Sequence, residues 1–252
     1  MLSRIEARIV LVSLLFLIPV VGGLSTLALL QMNEDRFFGN DVNGFVTPKW
    51  LGGSLEITQE SLVTILCEGS TGSGFSFDLD EYDQDEGFRF VDSKSLANKS
   101  KVITNSHVID NCLKTGQVEV IISDKSSHMA EIVRNDESSD LALLSLDAPI
   151  EPLLATYTIP LPGYWVMALG SPHNFAGSVT FGNVINADER SVYSTASLSP
   201  GNSGGPLLDN EGLLFGINSG SKPIGQNFNI SISINMLCEK IVVCPEKRFT
   251  LE

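Results

Sequence analysis

Three short segments of the chain carry a serine, a histidine and an aspartate in settings suited to nucleophilic catalysis. Ser203 lies among small residues in the run SPGNSGGPL, His107 follows a β-branched run, and Asp140 precedes the apolar run LALL. A serine hydroxyl is a weak nucleophile, so it needs a base and a set of donors facing the oxyanion that forms on the attacked carbonyl. A histidine oriented by an aspartate is one such base. These residues therefore predict an acyl-transfer hydrolase.

The glycines around Ser203 indicate where the donors come from. Glycine reaches positive φ without a Cβ clash, so a glycine-rich turn can aim consecutive backbone N–H groups inward. The alternative is an ordinary loop, because Gly, Asn, Ser and Pro are the usual turn formers. Residues 206–217 predict a strand, a tight turn and a second strand, and this flank favours the nucleophile.

Other histidines and acids are weaker candidates. His128 falls in a predicted strand and His173 in a Ser-Pro-His-Asn turn, and neither has a catalytic context. Asp136 and Glu137 lack the apolar run that would bury an acid beside a histidine. We therefore expect Asp140 to be the acid of the triad.

The three segments resemble the chymotrypsin-like (trypsin-like) serine protease superfamily, above all its bacterial HtrA (Deg) branch. The likeness rests on Thr-Asn-x-His-Val, Asp-Leu-Ala-Leu-Leu and Gly-Asn-Ser-Gly-Gly-Pro, and it extends over residues 61–233. It implies an endopeptidase in which Ser203 attacks, His107 moves the proton and Asp140 orients His107. The amides of Gly201 and Ser203 would form the oxyanion hole, and no cofactor would be needed.

Asn202 bears on activation within this resemblance. Relatives that are activated by zymogen cleavage have an aspartate at the matching position, which pairs with the new N-terminal ammonium. Because asparagine carries no charge, we expect an enzyme that is competent without proteolytic activation.

The resemblance also places a specificity pocket near residues 195–198 and 218–220. No acid lies there to attract Lys or Arg, and Leu198 would make the pocket shallow and apolar, so we expect a preference for small aliphatic side chains. The expected lining residues are Ser197, Leu198, Asn218, Ser219 and Gly220.

Short alternating runs separated by Gly, Pro and Asn recur from residue 62 to residue 232 and predict an all-β sandwich or barrel. The resemblance implies two packed six-stranded antiparallel β-barrels within a protease domain at residues 61–246. The first barrel would cover about residues 61–150, with the base and the acid, and the second about residues 163–246, with the nucleophile.

The two ends of this domain have their own predicted elements. Residues 234–243 predict a short amphipathic helix that ends before Pro245. Residues 31–60 show little periodicity and are predicted to be a spacer. We expect no PDZ domain of the kind that follows the protease in most HtrA proteins.

Residues 9–30 form an uncharged stretch of a length that can cross a bilayer, preceded by Arg4 and Arg8. This length favours a signal anchor over a cleaved signal peptide, whose apolar region is usually only about 7–15 residues. A passable cleavage site at residues 25–28 keeps the signal peptide open. We expect an extracytoplasmic protein that is membrane-anchored, or secreted or periplasmic if the segment is cleaved.

The net charge of −14 disfavours nucleic acid and anionic lipid as partners, so we expect protein or peptide substrates. Six acids cluster in an insertion between Phe77 and Lys101. A solvated hairpin tip is favoured there over a calcium site, because the EF-hand pattern is absent.

The four cysteines of an exported chain should pair, and three connectivities are open. Related proteases often tether the histidine loop, which favours Cys67–Cys112 and leaves Cys238–Cys244. No His or Cys spacing supports a metal site.

Two other functions remain open. The main alternative is a binding or chaperone-like module that keeps the fold with little chemistry, although such proteins usually lose a triad member. The third function is an esterase, since the same constellation cleaves esters.

Overall fold

The computed structural model describes residues 43–47, 51–77, 89–90, 99–153, 159–172, 175–221 and 228–243. The predicted N-terminal apolar segment, His173, Cys244 and most of the acidic insertion lie outside these residues. Within the described ranges, no helix combines the length and apolarity needed to span a membrane. The described residues from Gly44 onward form one compact unit, which contains both β-barrels.

The first barrel is a closed antiparallel sheet of six strands in the order β1-β2-β4-β7-β6-β5. Its strands follow the predicted pattern: β5 alternates buried valines with exposed polar residues, whereas β7 is buried throughout. The strands are β1 (Leu62–Cys67), β2 (Ser70–Ser76), β4 (Ser100–Thr104), β5 (Gln117–Ile121), β6 (Ser127–Asp136) and β7 (Leu141–Leu146).

The second barrel is also closed and six-stranded, in the order β10-β13-β12-β11-β8-β9. The two barrels confirm the predicted all-β fold. The strands are β8 (Trp165–Gly170), β9 (Ser178–Ala187), β10 (Ser191–Ser194), β11 (Pro206–Leu208), β12 (Leu214–Ser221) and β13 (Asn229–Ser233).

Helices flank the barrels. The predicted C-terminal helix is present as α3 (Ile234–Lys240), capped by the Ser233 hydroxyl, which accepts from the N–H of Asn235. It is shorter than expected, because the last two residues of the predicted helix form strand β14 (Val242–Val243), which pairs with β3 (Arg89–Phe90).

One element departs from the sequence prediction. The expected spacer contains α1 (Leu51–Ser61), which leads directly into β1. Leu51 and Leu55, one turn apart, pack against the core, and Thr58 is buried. Tertiary packing therefore stabilises a helix that the two glycines of its first turn do not favour.

The barrels meet along β1, β2 and β8. At this junction the Thr64 hydroxyl of the first barrel donates to the Ser171 hydroxyl of the second at 2.7 Å. A disulfide joins Cys67 at the end of β1 to Cys112, and Cys238 is also disulfide-bonded.

Candidate active site

His107 lies on a single helical turn, α2 (Ser106–Ile109), that follows β4. Val108 and Ile109 are buried and hold this turn on the first barrel. The imidazole Nδ1 lies 2.9 Å from each carboxylate oxygen of Asp140, and the backbone N–H of His107 donates to Asp140 Oδ1 at 3.0 Å. With Nδ1 held by the carboxylate, Nε2 is the ring nitrogen left to exchange a proton.

Asp140 sits between β6 and β7 in a left-handed conformation, with φ 55°. Asp and Asn tolerate this region better than most residues. The buried Asn105 side chain donates from Nδ2 to the Asp140 carbonyl at 2.9 Å and so holds the strained residue. This role of Asn105 was not predicted, although the residue belongs to the Thr-Asn-x-His motif.

The Asp140 carboxylate raises the pKa of His107 above its ordinary value of 6.5, chiefly through their hydrogen bond. Partial burial of the ring acts in the opposite direction but is the smaller effect. The imidazolium is therefore stabilised beside Asp140, as a base that accepts a proton during a reaction requires.

The segment before Ser203 folds into a type II turn over residues 199–202. Pro200 and Gly201 occupy its two central positions, Gly201 has φ 101°, and the Asn202 N–H donates to the Ser199 carbonyl at 2.9 Å. The N–H groups of Gly201 and Ser203 have no hydrogen-bond acceptor among the described residues. These are the two amides predicted to receive an oxyanion.

Ser219 links the nucleophile candidate to the acid. The Ser203 hydroxyl donates to the Ser219 carbonyl at 3.0 Å, and the Ser219 hydroxyl donates to Asp140 Oδ2 at 3.0 Å. In the described part of the chain, no hydrogen bond joins Ser203 Oγ to His107. The serine, histidine and aspartate are thus brought to one place, with the serine hydroxyl turned toward Ser219.

Gly204 shows why this loop needs glycine. It has φ 85°, and an added Cβ would lie 2.1 Å from the Ser73 carbonyl oxygen and 2.3 Å from Thr104 Oγ1. The loop therefore lies directly against strands of the first barrel, and a side chain at Gly204 would force the barrels apart.

The expected pocket residues have different surroundings. Asn218 is fully buried, and its Nδ2 donates to the carbonyls of Leu169 and Pro206 while its Oδ1 accepts from Ser231. Its side chain therefore holds the second barrel together and does not line a pocket. Asn218 was expected in the pocket because the family resemblance places the pocket near residues 218–220.

Three other predicted pocket residues are less enclosed than Asn218. Leu198 packs partly against the core of the second barrel, the Ser197 carbonyl accepts from Thr180, and no atom would lie within 4 Å of a Cβ on Gly220.

The residues set aside in the sequence have other partners. His128 Nε2 lies 2.7 Å from the Ser126 hydroxyl, and Asp136 accepts hydrogen bonds from Ser138 and Ser139. Within the described ranges, no group of three or more His, Cys, Asp or Glu residues is placed to hold a metal ion.

Comparison with known proteins identifies this arrangement. The family model described as "Trypsin-like peptidase domain" matches residues 87–217, more than half of the chain. The chain belongs to the trypsin-like peptidase family. Among the residues it matches are the candidate triad and its glycine turn, so the resemblance drawn from the motifs is confirmed.

Curated relatives of this peptidase domain include HtrA-type proteases. A protein named "Probable periplasmic serine endoprotease DegP-like" from Marinomonas sp. is 35% identical over 135 residues, which cover 49% of this chain and 28% of that protein. "Protease Do-like 1, chloroplastic" from Arabidopsis thaliana is 32% identical over 178 residues, covering 64% of this chain and 39% of that protein. The chain thus spans well under half the length of these relatives.

Solved structures share the fold. The serine endoprotease from Yersinia pestis superposes with a TM-score of 0.61 at 24% identity, covering 77% of this chain and 66% of that one. The Rv3671c protease in an inactive form gives a TM-score of 0.60 at 22% identity, covering 77% and 96% of the respective chains.

Proposed function

We propose that this peptidase domain is an extracytoplasmic serine endopeptidase that works through an acyl-enzyme. The observation that carries the proposal is the chain of hydrogen bonds from His107 to Asp140, from Asp140 to Ser219 and from Ser219 to Ser203. It lies beside two amides that have no acceptor among the described residues. The names of the relatives, serine endoproteases described as periplasmic, support the same reaction and compartment.

In the proposed reaction, rotation of Ser203 about its Cα–Cβ bond moves its hydroxyl from the Ser219 carbonyl to His107 Nε2. The oxygen then attacks the scissile carbonyl while Nε2 takes the proton, and the Gly201 and Ser203 N–H groups donate to the oxyanion. Collapse of the tetrahedral intermediate breaks the C–N bond, and His107 protonates the leaving amine. Water deacylates the enzyme by the same steps, which return the proton to Ser203.

Activation without zymogen cleavage belongs to the proposal. The type II turn is formed around Asn202, which is 5% exposed and neutral, so the turn needs no ammonium partner. Replacing Asn202 with Asp would bury a charge with no cation beside it among the described residues, and this variant should lose activity unless a free N-terminus reaches it.

For specificity we propose small aliphatic side chains before the scissile bond, because Leu198 is apolar and no acid lies beside it. Profiling with a peptide library tests this directly. A profile dominated by Arg or Lys would contradict it.

The domain boundaries belong to the same proposal, with the protease domain at residues 61–246 after a membrane anchor or signal peptide. Because α1 is packed against the core, a shortened protein used for these tests should include α1 in order to fold.

One observation favours the alternative, a binding module with little chemistry. The Ser203 hydroxyl is bonded to Ser219 and not to His107, and a serine held there permanently would not react. The two functions therefore differ in whether the Ser203 hydroxyl can break its hydrogen bond to the Ser219 carbonyl and turn to His107.

A fluorophosphonate probe distinguishes these two functions, because it labels only a serine activated by a base. We expect the full chain to be labelled at Ser203, and Ser203→Ala and His107→Ala to lose the label. His128→Ala is the matched control and should label like wild type, because His128 lies on β6 and bonds Ser126. Folded wild-type protein that takes no label would favour the binding module.

Hydrolysis of a protein substrate then separates a peptidase from an esterase. We expect wild type to cleave unfolded casein and Ser203→Ala to leave it intact. Turnover of p-nitrophenyl esters without peptide cleavage would favour the esterase.

A further inference from the structure

Ser73 of β2 reaches from the first barrel to the nucleophile loop of the second. It is fully buried and lies in the sequence Gly72-Ser73-Gly74, away from the three motifs that indicate catalysis. Its partners lie far along the chain, because Gly201 is 128 residues away.

Every polar atom of Ser73 is engaged. Its N–H donates to the Ser203 carbonyl at 2.8 Å, and its hydroxyl donates to the Gly201 carbonyl at 2.6 Å. The hydroxyl oxygen also accepts from the Ser171 N–H at 2.8 Å, and the Ser73 carbonyl accepts from the Thr104 hydroxyl at 2.7 Å. Ser73 thus contacts both residues whose amides are proposed to form the oxyanion hole.

We propose that Ser73 is a positioning residue for the oxyanion hole, acting through its hydroxyl on Gly201. This inference rests on the function proposed above. The peptide that follows Gly201 is held at both ends, since its C=O accepts from Ser73 and its N–H donates to the Ser199 carbonyl. Glycine has wide conformational freedom, so loss of one of these bonds lets Gly201 rotate its own N–H away from the reacting carbonyl.

The variant Ser73→Ala removes the hydroxyl bond to Gly201, together with the acceptor of the Ser171 N–H. The backbone bond from residue 73 to the Ser203 carbonyl remains, and neither His107 nor Asp140 contacts the hydroxyl. The nucleophile and base therefore stay in place while the Gly201 donor is loosened. Removal of a whole oxyanion donor costs about 10²–10³-fold in kcat, so a displaced donor should cost roughly 10- to 100-fold, with KM nearly unchanged.

Ser145→Ala is the matched control. Ser145 lies on β7, is 2% exposed, and its hydroxyl has no hydrogen-bond partner among the described residues. It is therefore a buried serine hydroxyl of the same barrel that supports nothing in the loop, and its removal should leave kcat within about twofold of wild type.

Two ligands distinguish an effect on the oxyanion hole from a general loss of packing. A peptide aldehyde forms a hemiacetal on Ser203 whose oxyanion occupies the hole, whereas a substrate peptide bound to a Ser203→Ala background does not. We expect Ser73→Ala to lower the affinity for the aldehyde by the same factor by which it lowers kcat/KM. Its affinity for the substrate peptide, measured in the Ser203→Ala background, should be unchanged.

The outcomes separate the two proposals. If wild type neither labels nor turns over substrate, the proposed function fails. If wild type is active and Ser73→Ala retains its kcat, or falls only as far as Ser145→Ala, the role of Ser73 is overturned. A loss confined to KM would also overturn it.

Thermal unfolding establishes that each variant is folded. If Ser73→Ala does not fold, Ser73→Cys takes its place, because a thiol is similar in size but a weak donor. Its kcat should lie below that of wild type, and a kcat equal to wild type would overturn the role of the hydroxyl.

Discussion

A buried carboxyl in the second barrel makes the stability of this domain depend on pH. Asp209, in the turn between β11 and β12, is 8% exposed, and its Oδ1 accepts the N–H groups of Glu211 and Leu213 at 2.8 Å each. Burial raises its pKa to about 6 from an ordinary value of 3.8. Ionisation is therefore disfavoured in the folded state, although the backbone N–H groups bonded to the carboxylate partly offset the burial.

The sign of the pH dependence follows from this raised pKa. Between pH 3.8 and about 6 the folded protein holds a proton that the unfolded chain has lost, so stability falls as pH rises through this window. At about 1.4 kcal/mol for each pH unit that the window spans, the loss approaches about 3 kcal/mol above pH 6.

Asp209→Asn should remove this loss, because the amide oxygen can accept the same two N–H groups without a charge. We expect the variant to match wild type near pH 4 and to exceed it at pH 7.5 by up to about 3 kcal/mol, or about 6–12 °C in melting temperature. Denaturant unfolding of both proteins from pH 4 to pH 8 measures the difference.

Asp188→Asn is the matched control. Asp188 accepts two turn N–H groups at 2.8 Å in the same way, from Arg190 and Ser191, but it is exposed. Because Asp188 is exposed, its replacement relieves no buried charge, so we expect Asp188→Asn to be no more stable than wild type. A stability difference for Asp209→Asn that is equal at pH 4 and pH 7.5, or that Asp188→Asn reproduces, would refute the reasoning.

Two further predictions concern the candidate active site. Because Asp140 raises the pKa of His107 above 6.5, activity should rise with pH through a midpoint above 6.5. In the pH–rate profile of Asp140→Asn this midpoint should be lower, and kcat should fall by about 10³–10⁴-fold. Gly204→Ala should abolish labelling and lower the melting temperature. Gly212→Ala is its control, because Gly212 has a similar φ of 84° but no atom within 4 Å of the added Cβ, and its melting temperature should fall far less. Equal falls in melting temperature would show that the positive φ, and not the steric clash, causes the loss of stability.

Local patterns predicted an all-β fold, and the family resemblance supplied its division into two six-stranded barrels. Alternation in β5 and the apolar run of β7 are set by neighbours along the chain, so both were predictable. The contexts of His107, Asp140 and Ser203 were also local, because each needs a particular turn or strand end.

The failures concern contacts made far along the chain. The helix at Leu51–Ser61 has two glycines in its first turn, so its sequence gives little sign of the packing that stabilises it. The family resemblance placed Asn218 in the pocket segment, whereas its amide makes hydrogen bonds inside the second barrel. Ser73 has no distinguishing neighbour, and its role depends on Gly201 and Ser171, which come from the other barrel.

The junction at Ser73 also has a consequence for biosynthesis. The base and acid are translated first, with the first barrel, but the proposed oxyanion hole needs residues that emerge more than 90 positions after His107. Even then, Gly201 and Ser203 gain their hydrogen bonds to Ser73 only when the second barrel docks on β2. A nascent or half-folded chain therefore has the histidine and the aspartate but no assembled site. If the proposed function holds, such a chain should not cleave itself or its neighbours before folding is complete.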